Sequence, residues 1–239
     1  MVGTILNGAA IVLGGIFGLV SRKQLSLTHQ TALKVLLGVF TVYAGLSATW
    51  KGLNGSFLQI LKQLGIVVLA LTLGNLLGKL LRIQKGMNRL GQYARQIISA
   101  ARPDNPHRLN DGFMTGSILF CVAPLAYLGA LQDGLAGDFK ALAVKAVMDG
   151  LATMAFVTTF GWGIMLSVIP VLAWQGTLTL SVTLLRPFLE SHALLDPVMA
   201  TNGLLVFCVS LIIFELKKVQ LADYLPSLAI APLLAWLWR

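Results

Sequence analysis

Residues 139–160 read FKALAVKAVMDGLATMAFVTTF, an apolar stretch that carries a lysine and an aspartate one helical turn apart. A helix needs about 20 predominantly apolar residues to cross the roughly 30 Å hydrocarbon core of a bilayer, so this stretch predicts a membrane-spanning helix. Asp149 lies near its middle, where a charged side chain costs roughly 2.5–3.5 kcal/mol on insertion scales. Such a residue pairs with another charge, lines a water-filled cavity, or binds an ion or proton.

Other apolar stretches of the same kind surround this one, and together they predict an all-α, polytopic transmembrane helix bundle of about eight spans. They are residues 4–20, 32–50, 61–81, 112–131, 164–185, 198–214 and 224–238. The chain has 56% hydrophobic and 11% charged residues, whereas soluble domains carry about 25% charged residues. We therefore expect a single integral membrane domain over residues 1–239, with three spans in 1–81, a polar connector at 82–111 and five spans in 112–239.

The basic residues are distributed unevenly between the loops. If the N-terminus is outside, about two thirds of the 18 Lys and Arg residues fall on the inner side, which follows the positive-inside rule. The basic pair Arg22-Lys23 comes after the first apolar run, and this order favours an uncleaved first span with an external N-terminus. The net charge of +9 is thus explained by topology and anionic lipid, and we expect no nucleic-acid partner.

The connector opens with a segment of helical period that is apolar on one face and basic on the others. Its apolar face runs from Ile83 to Ala101, and basic residues are spread from Arg82 to Arg102. A basic amphipathic helix of this kind lies in the headgroup layer, where it contacts anionic lipid headgroups. An interfacial connector is the favoured interpretation, and lipid sensing or docking of a partner is the alternative.

Small residues four positions apart recur in several spans, as at Gly14 and Gly18 or Gly74 and Gly78. This spacing lets helices approach closely in lipid, and it predicts a tight bundle and allows a homodimer. Spans 1–3 and 6–8 also share weak sequence echoes, with opposite orientation in the predicted topology. This pattern suggests an inverted repeat, a feature of many transporters.

Pro124, Pro170 and Pro232 fall near the middles of spans. Proline lacks an N–H and clashes with the carbonyl four residues back, so each predicts a helix kink. The alternative is a broken helix that presents backbone to a solute. Between spans five and six, Gly161-Trp162-Gly163 predicts a very short turn and a tight antiparallel hairpin.

Polar side chains within or near the ends of the apolar runs form the candidate set for binding a solute or ion. This set is Asp149, Gln175, Gln132, Asp133, Lys145, Asn7 and Asn202. Ordinary hydrogen bonding between helices is the alternative for each Asn or Gln. Lys145, four residues before Asp149, is a candidate structural partner for the acid.

Catalytic patterns are missing from the sequence. The chain has no HExxH, GxSxG, P-loop or CxxC motif. Its histidines fall in predicted loops, and Cys121 and Cys208 fall inside predicted spans, where they are expected to act as small core residues. The sequence therefore predicts no enzyme, no metal site and no cofactor.

Several segments resemble a bacterial family. They are Gly3-Thr4-Ile5-Leu6-Asn7, Leu119-Phe120-Cys121, the block from Gly129 to Gly134, Gly137-Asp138, Lys145 with Asp149, and the run from Leu225 to Ala229. Over essentially the whole chain, the sequence resembles the uncharacterised YqgA/YdfK-like inner-membrane proteins. The resemblance implies a multi-pass protein of the bacterial inner membrane and directs attention to Gln132, Asp133, Lys145 and Asp149. It implies no substrate.

The sequence favours a transporter of a small solute or ion, with a mid-membrane polar site around Asp149. The alternative is a structural or regulatory membrane protein that acts through partners, in which Lys145 and Asp149 form a structural ion pair. Transport predicts a polar cavity at mid-depth that Asp149 and Gln175 reach. A scaffold predicts Asp149 sealed against Lys145.

Overall fold

The helices follow the apolar stretches, because in lipid each backbone polar group must be satisfied within its own segment. The computed structural model describes residues 1–21, 26–102 and 106–238, and these form helices without a strand. The helices are α1 (Val2–Ser21), α2 (Leu27–Lys51), α3 (Phe57–Leu81), α4 (Ile83–Ala100), α5 (Arg108–Val122), α6 (Pro124–Ala136), α7 (Lys140–Phe160), α8 (Val168–Ser191), α9 (Leu195–Ile213) and α10 (Ser227–Leu237). Short 3₁₀ segments at Gly161–Ser167 and Leu221–Tyr224 follow α7 and precede α10. The predicted all-α fold class is confirmed.

Local sequence explains where several helices begin and end. Ser56 precedes α3, and its backbone N–H donates to the Gln59 side chain at 2.7 Å, as in a capping box. Gly137 ends α6 in the left-handed conformation, with φ of 63°, which glycine adopts without a Cβ clash. These caps satisfy backbone groups that have no partner within the helix.

Among the residues that the structure describes, five helical stretches are long and apolar enough to cross a membrane, and a sixth is added if the bent pair α5 and α6 counts as one span. One of the five is the 52-residue stretch Lys140–Ser191, which contains both α7 and α8. The segment Leu221–Leu237, with α10, is apolar but shorter. The structure is compatible with the predicted number of about eight spans, because α7 and α8 run in opposite directions along α1.

Contacts between loops define two ends of the bundle. At the first end, Lys51 Nζ lies 3.1 Å from Asp138 Oδ2, and the Met1 amino group lies 3.0 Å from Asp133 Oδ2. At the second end, the Gln84 backbone N–H donates to Asp223 at 2.8 Å, and Lys34 pairs with Glu215 at 2.5 Å. Helices therefore alternate in direction along the chain, with α5 and α6 together making one passage.

Glycines set the closest helix contacts. A Cβ added to Gly14 of α1 would lie 2.1 Å from the Gly150 carbonyl oxygen of α7. A Cβ added to Gly45 of α2 would lie 2.5 Å from the Phe207 nitrogen of α9. Similarly close contacts join Gly74 of α3 to the start of α10. Small residues thus let the backbones touch directly, as expected for helices that associate in lipid.

The predicted repeat units contact each other across the bundle. α1 packs against α8, α2 against α9 and α3 against α10, and each pair is antiparallel. The order of contacts shows this for α2 and α9, where Gly38 meets Phe214 and Gly52 meets Ala200. This arrangement has the relative directions that an inverted repeat requires, and the repeat itself stays a prediction.

The amphipathic segment forms α4 at the second end. Ile97 and Ile98 pack against an apolar cluster formed by Val157, Phe160 and Ile164. The basic side chains of the helix are exposed, namely Arg82, Lys85, Arg89 and Arg95. The helix therefore has the geometry of an interfacial connector, and its contact with anionic lipid stays a prediction.

The three prolines that were predicted to lie near the middles of spans occupy different positions in their helices. α5 and α6 are bent by 57° at Ala123, whose extended ψ of 135° is the conformation favoured before a proline such as Pro124. Pro232 lies inside α10. Pro170, predicted to kink a span near its middle, instead lies in the first turn of α8. This position is not mid-span, and proline is tolerated there because first-turn N–H groups have no partner within the helix.

The link between α7 and α8 also differs from the expectation. The predicted very short turn is replaced by the seven-residue 3₁₀ segment Gly161–Ser167. α1 packs along both α7 and α8, so its side chains lie between residues that the predicted hairpin would have brought into direct contact.

The two ends of the bundle generate a topology prediction. In a background without Cys121 and Cys208, a membrane-impermeant maleimide should label Ser56→Cys, at the first end, in intact cells. It should label Ser99→Cys, on α4, only after permeabilisation, because basic loops stay on the cytoplasmic side. Both native serines are exposed, so access to the reagent is matched. Labelling of Ser99→Cys in intact cells would overturn the proposed orientation.

The contact between α1 and α7 generates a stability prediction. Gly14→Ala should destabilise the purified protein by about 1–3 kcal/mol, the usual range for overpacking, because its Cβ would collide with the Gly150 backbone. Gly65→Ala is the matched control, since a Cβ there meets nothing within 4 Å. Thermal unfolding in detergent measures both changes, and equal midpoints would contradict the close contact.

Candidate functional site

A buried pair of opposite charges lies on one face of α7. The Lys145 ammonium donates to Asp149 Oδ2, and helical spacing of four residues places the two side chains together. Lys145 is 1% exposed and Asp149 is 6% exposed. Burying two charges costs several kcal/mol for each ion, and direct pairing offsets much of that cost.

α1 brings a third polar side chain to this pair. Asn7 is fully buried, and its Nδ2 donates to Gln175 Oε1 on α8 at 3.2 Å. Asn7 also lies beside the Asp149 carboxylate and interacts with it. The close approach of α1 to α7 makes this reach possible. Asn7, Lys145, Asp149 and Gln175 together are called the ion-pair site below.

Two atoms of the ion-pair site have no hydrogen-bond partner among the described residues: Asn7 Oδ1 and Gln175 Nε2. A buried polar atom left without a partner costs about 1–3 kcal/mol. One is an acceptor and the other is a donor, so a bound polar species could satisfy both.

Threonines extend the site, and the sequence reasoning gave them no binding role. Thr153 Oγ1 donates to the Asp149 backbone carbonyl at 2.7 Å. Thr4 and Thr179 lie 3.4 Å apart at their hydroxyl oxygens. The sequence spacing could have indicated the second pair, because Thr4 is three residues from Asn7 and Thr179 is four residues from Gln175. Those spacings place each threonine on the same helix face as its amide.

The ion-pair site lies beside the broken passage of α5 and α6. Lys145 Nζ is 5.8 Å from the centroid of the Phe120 ring, and Phe120 belongs to the last turn of α5. The final four carbonyls of a helix have no partner within it. A cavity of about 250 Å³ lies beside the break, lined by Leu119, Ala123 and Pro124 and covered by Met87 of α4. The break therefore lies between this cavity and Lys145.

Asp133, predicted to bind a solute or ion, lies at the N-terminus of α1. Its Oδ2 accepts a hydrogen bond from the Gly3 backbone N–H of α1 at 3.0 Å and lies 3.0 Å from the Met1 amino group. The carboxylate thus caps α1, whose N-terminus carries partial positive charge. The structure places Asp133 at the first end, where it fixes the position of α1.

Gln132 and Asn202 form a second polar group, between α6 and α9. Asn202 Nδ2 donates to the Leu128 carbonyl at 3.0 Å, and Gln132 lies one turn after Leu128 on the same helix. Gln132 is fully buried, and neither polar atom of its side chain has a partner in the described part of the chain. The seven predicted residues therefore divide into the ion-pair site, the α1 cap and this group.

A further buried acid, Asp138, lies outside the spans at the first end. Burial alone would raise the pKa of its carboxyl, but hydrogen bonds from Lys140 and Lys51 outweigh burial and lower that pKa below its ordinary value. Asp138 is therefore ionised at neutral pH, and it ties α2 to the start of α7. Within the described ranges, no group of three or more His, Cys, Asp or Glu could hold a metal ion.

Comparison with known proteins agrees with this architecture. Residues 2–236 match the family described as "Protein of unknown function (DUF554)". The uncharacterized membrane protein YdfK of Bacillus subtilis (strain 168) is 28% identical over 232 residues, which cover 97% of this chain and 94% of YdfK. The uncharacterized protein YqgA of Escherichia coli (strain K12) is 26% identical over 239 residues, covering 100% of this chain and 97% of YqgA. No solved structure matches. With its series of apolar helices, the chain is a multi-pass membrane protein, and it belongs to the DUF554 family of YqgA/YdfK-like proteins.

Proposed function

We propose that this protein is a transporter of a small solute or ion, and that the ion-pair site is its binding site in an occluded state. The observation that carries the proposal is that buried charges and amide atoms without hydrogen-bond partners lie together at one place. They belong to three different helices, α1, α7 and α8. A structural ion pair needs its two charges and their hydrogen bonds. It does not need, beside it, an acceptor on Asn7 and a donor on Gln175 that lack hydrogen-bond partners among the described residues.

The broken passage supports the same function. Discontinuous helices at mid-depth are a recurrent feature of transporter sites, because irregular backbone within a membrane is tolerated where it lines a cavity or is buried in protein. The bend at Ala123 lies between the cavity under α4 and the Phe120 side chain that contacts Lys145. A shift of α5 relative to α6 would connect the cavity to the ion-pair site.

The distribution of charge supports a location in the bacterial inner membrane with the N-terminus outside. Lys79, the basic residues of α4, and Lys217 and Lys218 lie towards the second end. The first end holds fewer basic side chains, among them Lys51, Lys62 and Lys140. The positive-inside rule assigns the second end to the cytoplasm, so the cavity under α4 would face the cytoplasm.

A structural or regulatory role is the second candidate, and one observation favours it. The Lys145 ammonium contacts Asp149 directly, and neither side chain lines the cavity under α4. A sealed pair of this kind is what a scaffold requires. Accessibility of the site from the two sides of the membrane separates the two candidates.

The first measurement tests the closed ion pair, which both candidates contain. Asp149→Asn leaves a buried ammonium without its partner and should destabilise the protein by about 3–5 kcal/mol. The double variant Asp149→Asn with Lys145→Met removes both charges and should recover most of that loss. Thermal unfolding of the purified protein measures each change.

The control for this series is the exposed pair of Arg186 and Glu190, which has the same spacing on a helix. Glu190→Gln should change stability by less than about 1 kcal/mol, because exposed pairs contribute little. If Asp149→Asn were no more destabilising than Glu190→Gln, the ion pair would not be closed as described.

The second measurement tests transport without knowledge of the substrate. In a background without the native cysteines, Thr153→Cys places a thiol one turn from Asp149. A small, charged, membrane-impermeant methanethiosulfonate should modify this thiol from either side of oriented vesicles, because a transporter site opens alternately to both sides. Val157→Cys, on the same face in an apolar cluster, should stay unmodified.

Folded Thr153→Cys protein that reacts from neither side, or from one side alone, would contradict transport. The structural ion pair would then be the function of Lys145 and Asp149. Circular dichroism and thermal unfolding of the unreacted protein establish that it is folded.

A further inference from the structure

The charge balance of the ion-pair site limits what it can hold. Its described side chains are one carboxylate, Asp149, one ammonium, Lys145, and two neutral amides, Asn7 and Gln175. The site is therefore neutral in the structure. An uncompensated charge in this buried, low-dielectric position is strongly disfavoured. Any ion that binds must therefore leave the site without net charge, once Lys145 or Asp149 has gained or lost a proton.

Two kinds of small ion satisfy this condition. A monovalent cation beside the Asp149 carboxylate is balanced when Lys145 is uncharged. A monovalent anion beside the Lys145 ammonium is balanced when Asp149 is protonated. A divalent cation leaves one excess positive charge, because the site offers a single carboxylate. The surroundings of the pair decide between the two monovalent ions.

These surroundings favour a cation. The Phe120 ring lies 5.8 Å from Lys145 Nζ, and the face of an aromatic ring attracts cations. The last turn of α5, which contains Phe120, ends in carbonyl groups without partners in that helix. Asn7, whose side chain interacts with Asp149, has an acceptor oxygen, Oδ1, without a hydrogen-bond partner among the described residues, and carboxylate and amide oxygens are the ligands that hard cations prefer.

On the basis of the proposed transport function, we infer that the ion-pair site binds a small monovalent cation that takes the place of the Lys145 ammonium at the Asp149 carboxylate. In the resting state, Lys145 itself is the counter-ion of Asp149. When the cation binds Asp149 Oδ2 and Asn7 Oδ1, Lys145 releases one proton to water and becomes a neutral amine. One cation enters for each proton that leaves, so the net charge of the site is unchanged.

The groups that face Lys145 are compatible with this exchange. On its own helix the facing charge is Asp149, α1 contributes the neutral Asn7, and α5 contributes Phe120 and the titratable thiol of Cys121, which interacts with both members of the pair. Binding should weaken as pH falls, because protons compete with the cation for the site.

Proteoliposomes that contain the full chain and a trapped pH-sensitive dye test the inference. An inward gradient of Li⁺, Na⁺ or K⁺ chloride should make the lumen alkaline, and an equal gradient of N-methylglucamine chloride should not. Because the exchange is electroneutral, clamping the membrane potential at zero should leave the initial rate unchanged. The double variant Asp149→Asn with Lys145→Met should lose the signal, whereas Lys79→Met, at an exposed residue of α3, should keep it.

A binding measurement keeps the inference testable if a variant reconstitutes poorly. In detergent, the monovalent cation should raise the unfolding midpoint of the natural chain saturably at constant ionic strength. This rise should be smaller at lower pH and absent in the double variant.

Three results would overturn the inference. They are no alkalinisation with any monovalent cation, a larger alkalinisation with Ca²⁺ than with monovalent cations, or an alkalinisation that changes when chloride is replaced by gluconate. If Thr153→Cys is nevertheless modified from both sides, transport stands and only the choice of a monovalent cation fails. If Thr153→Cys is also unreactive, the proposed function fails as well.

Discussion

The close backbone contact between α1 and α7 is the constraint on which the candidate site depends. Gly14 lies against the Gly150 carbonyl with no room for a Cβ, so the two helix axes are as near as their backbones allow. At that separation the short Asn7 side chain reaches both Asp149 and Gln175. In lipid there is no hydrophobic force to draw helices together, so backbone packing of this kind has to supply the association.

The same contact explains how charges are accommodated in the middle of the bundle. Asp149 is paired along its own helix, while the helices around it contribute neutral amides and an aromatic ring. The pair needs no charge from a neighbouring helix, so neighbours can move relative to α7 without separating the two charges. Two of the amide atoms without partners, Asn7 Oδ1 and Gln175 Nε2, lie where α1, α7 and α8 meet.

The sequence was sufficient to predict the helices, and a single residue, Asp149, was sufficient to locate the candidate site. Span positions follow from apolar length, because hydrophobic thickness constrains each helix separately. The choice of partner helix could not be predicted, since nearly every helix face in lipid is apolar and glycine pairs occur on several of them. Asp133 was therefore predicted to belong to the binding set, whereas in the structure it caps α1. Pro170 was predicted to lie near the middle of a span, whereas it lies in the first turn of α8. Asn7 was recognised as a candidate, but its position between α7 and α8 depends on a contact that only the folded chain shows.

The cap that Asp133 provides to α1 has a consequence for biosynthesis. The carboxylate and the Gly3 amide that it binds are separated by 130 positions in the chain. α1 thus receives its terminal hydrogen bond from a segment that is translated well after it. Until α6 is inserted, the Gly3 amide of α1 lacks this carboxylate partner. The cap of α1, and the ion-pair site, which also needs α7 and α8, can therefore be completed only after these later segments have been synthesised.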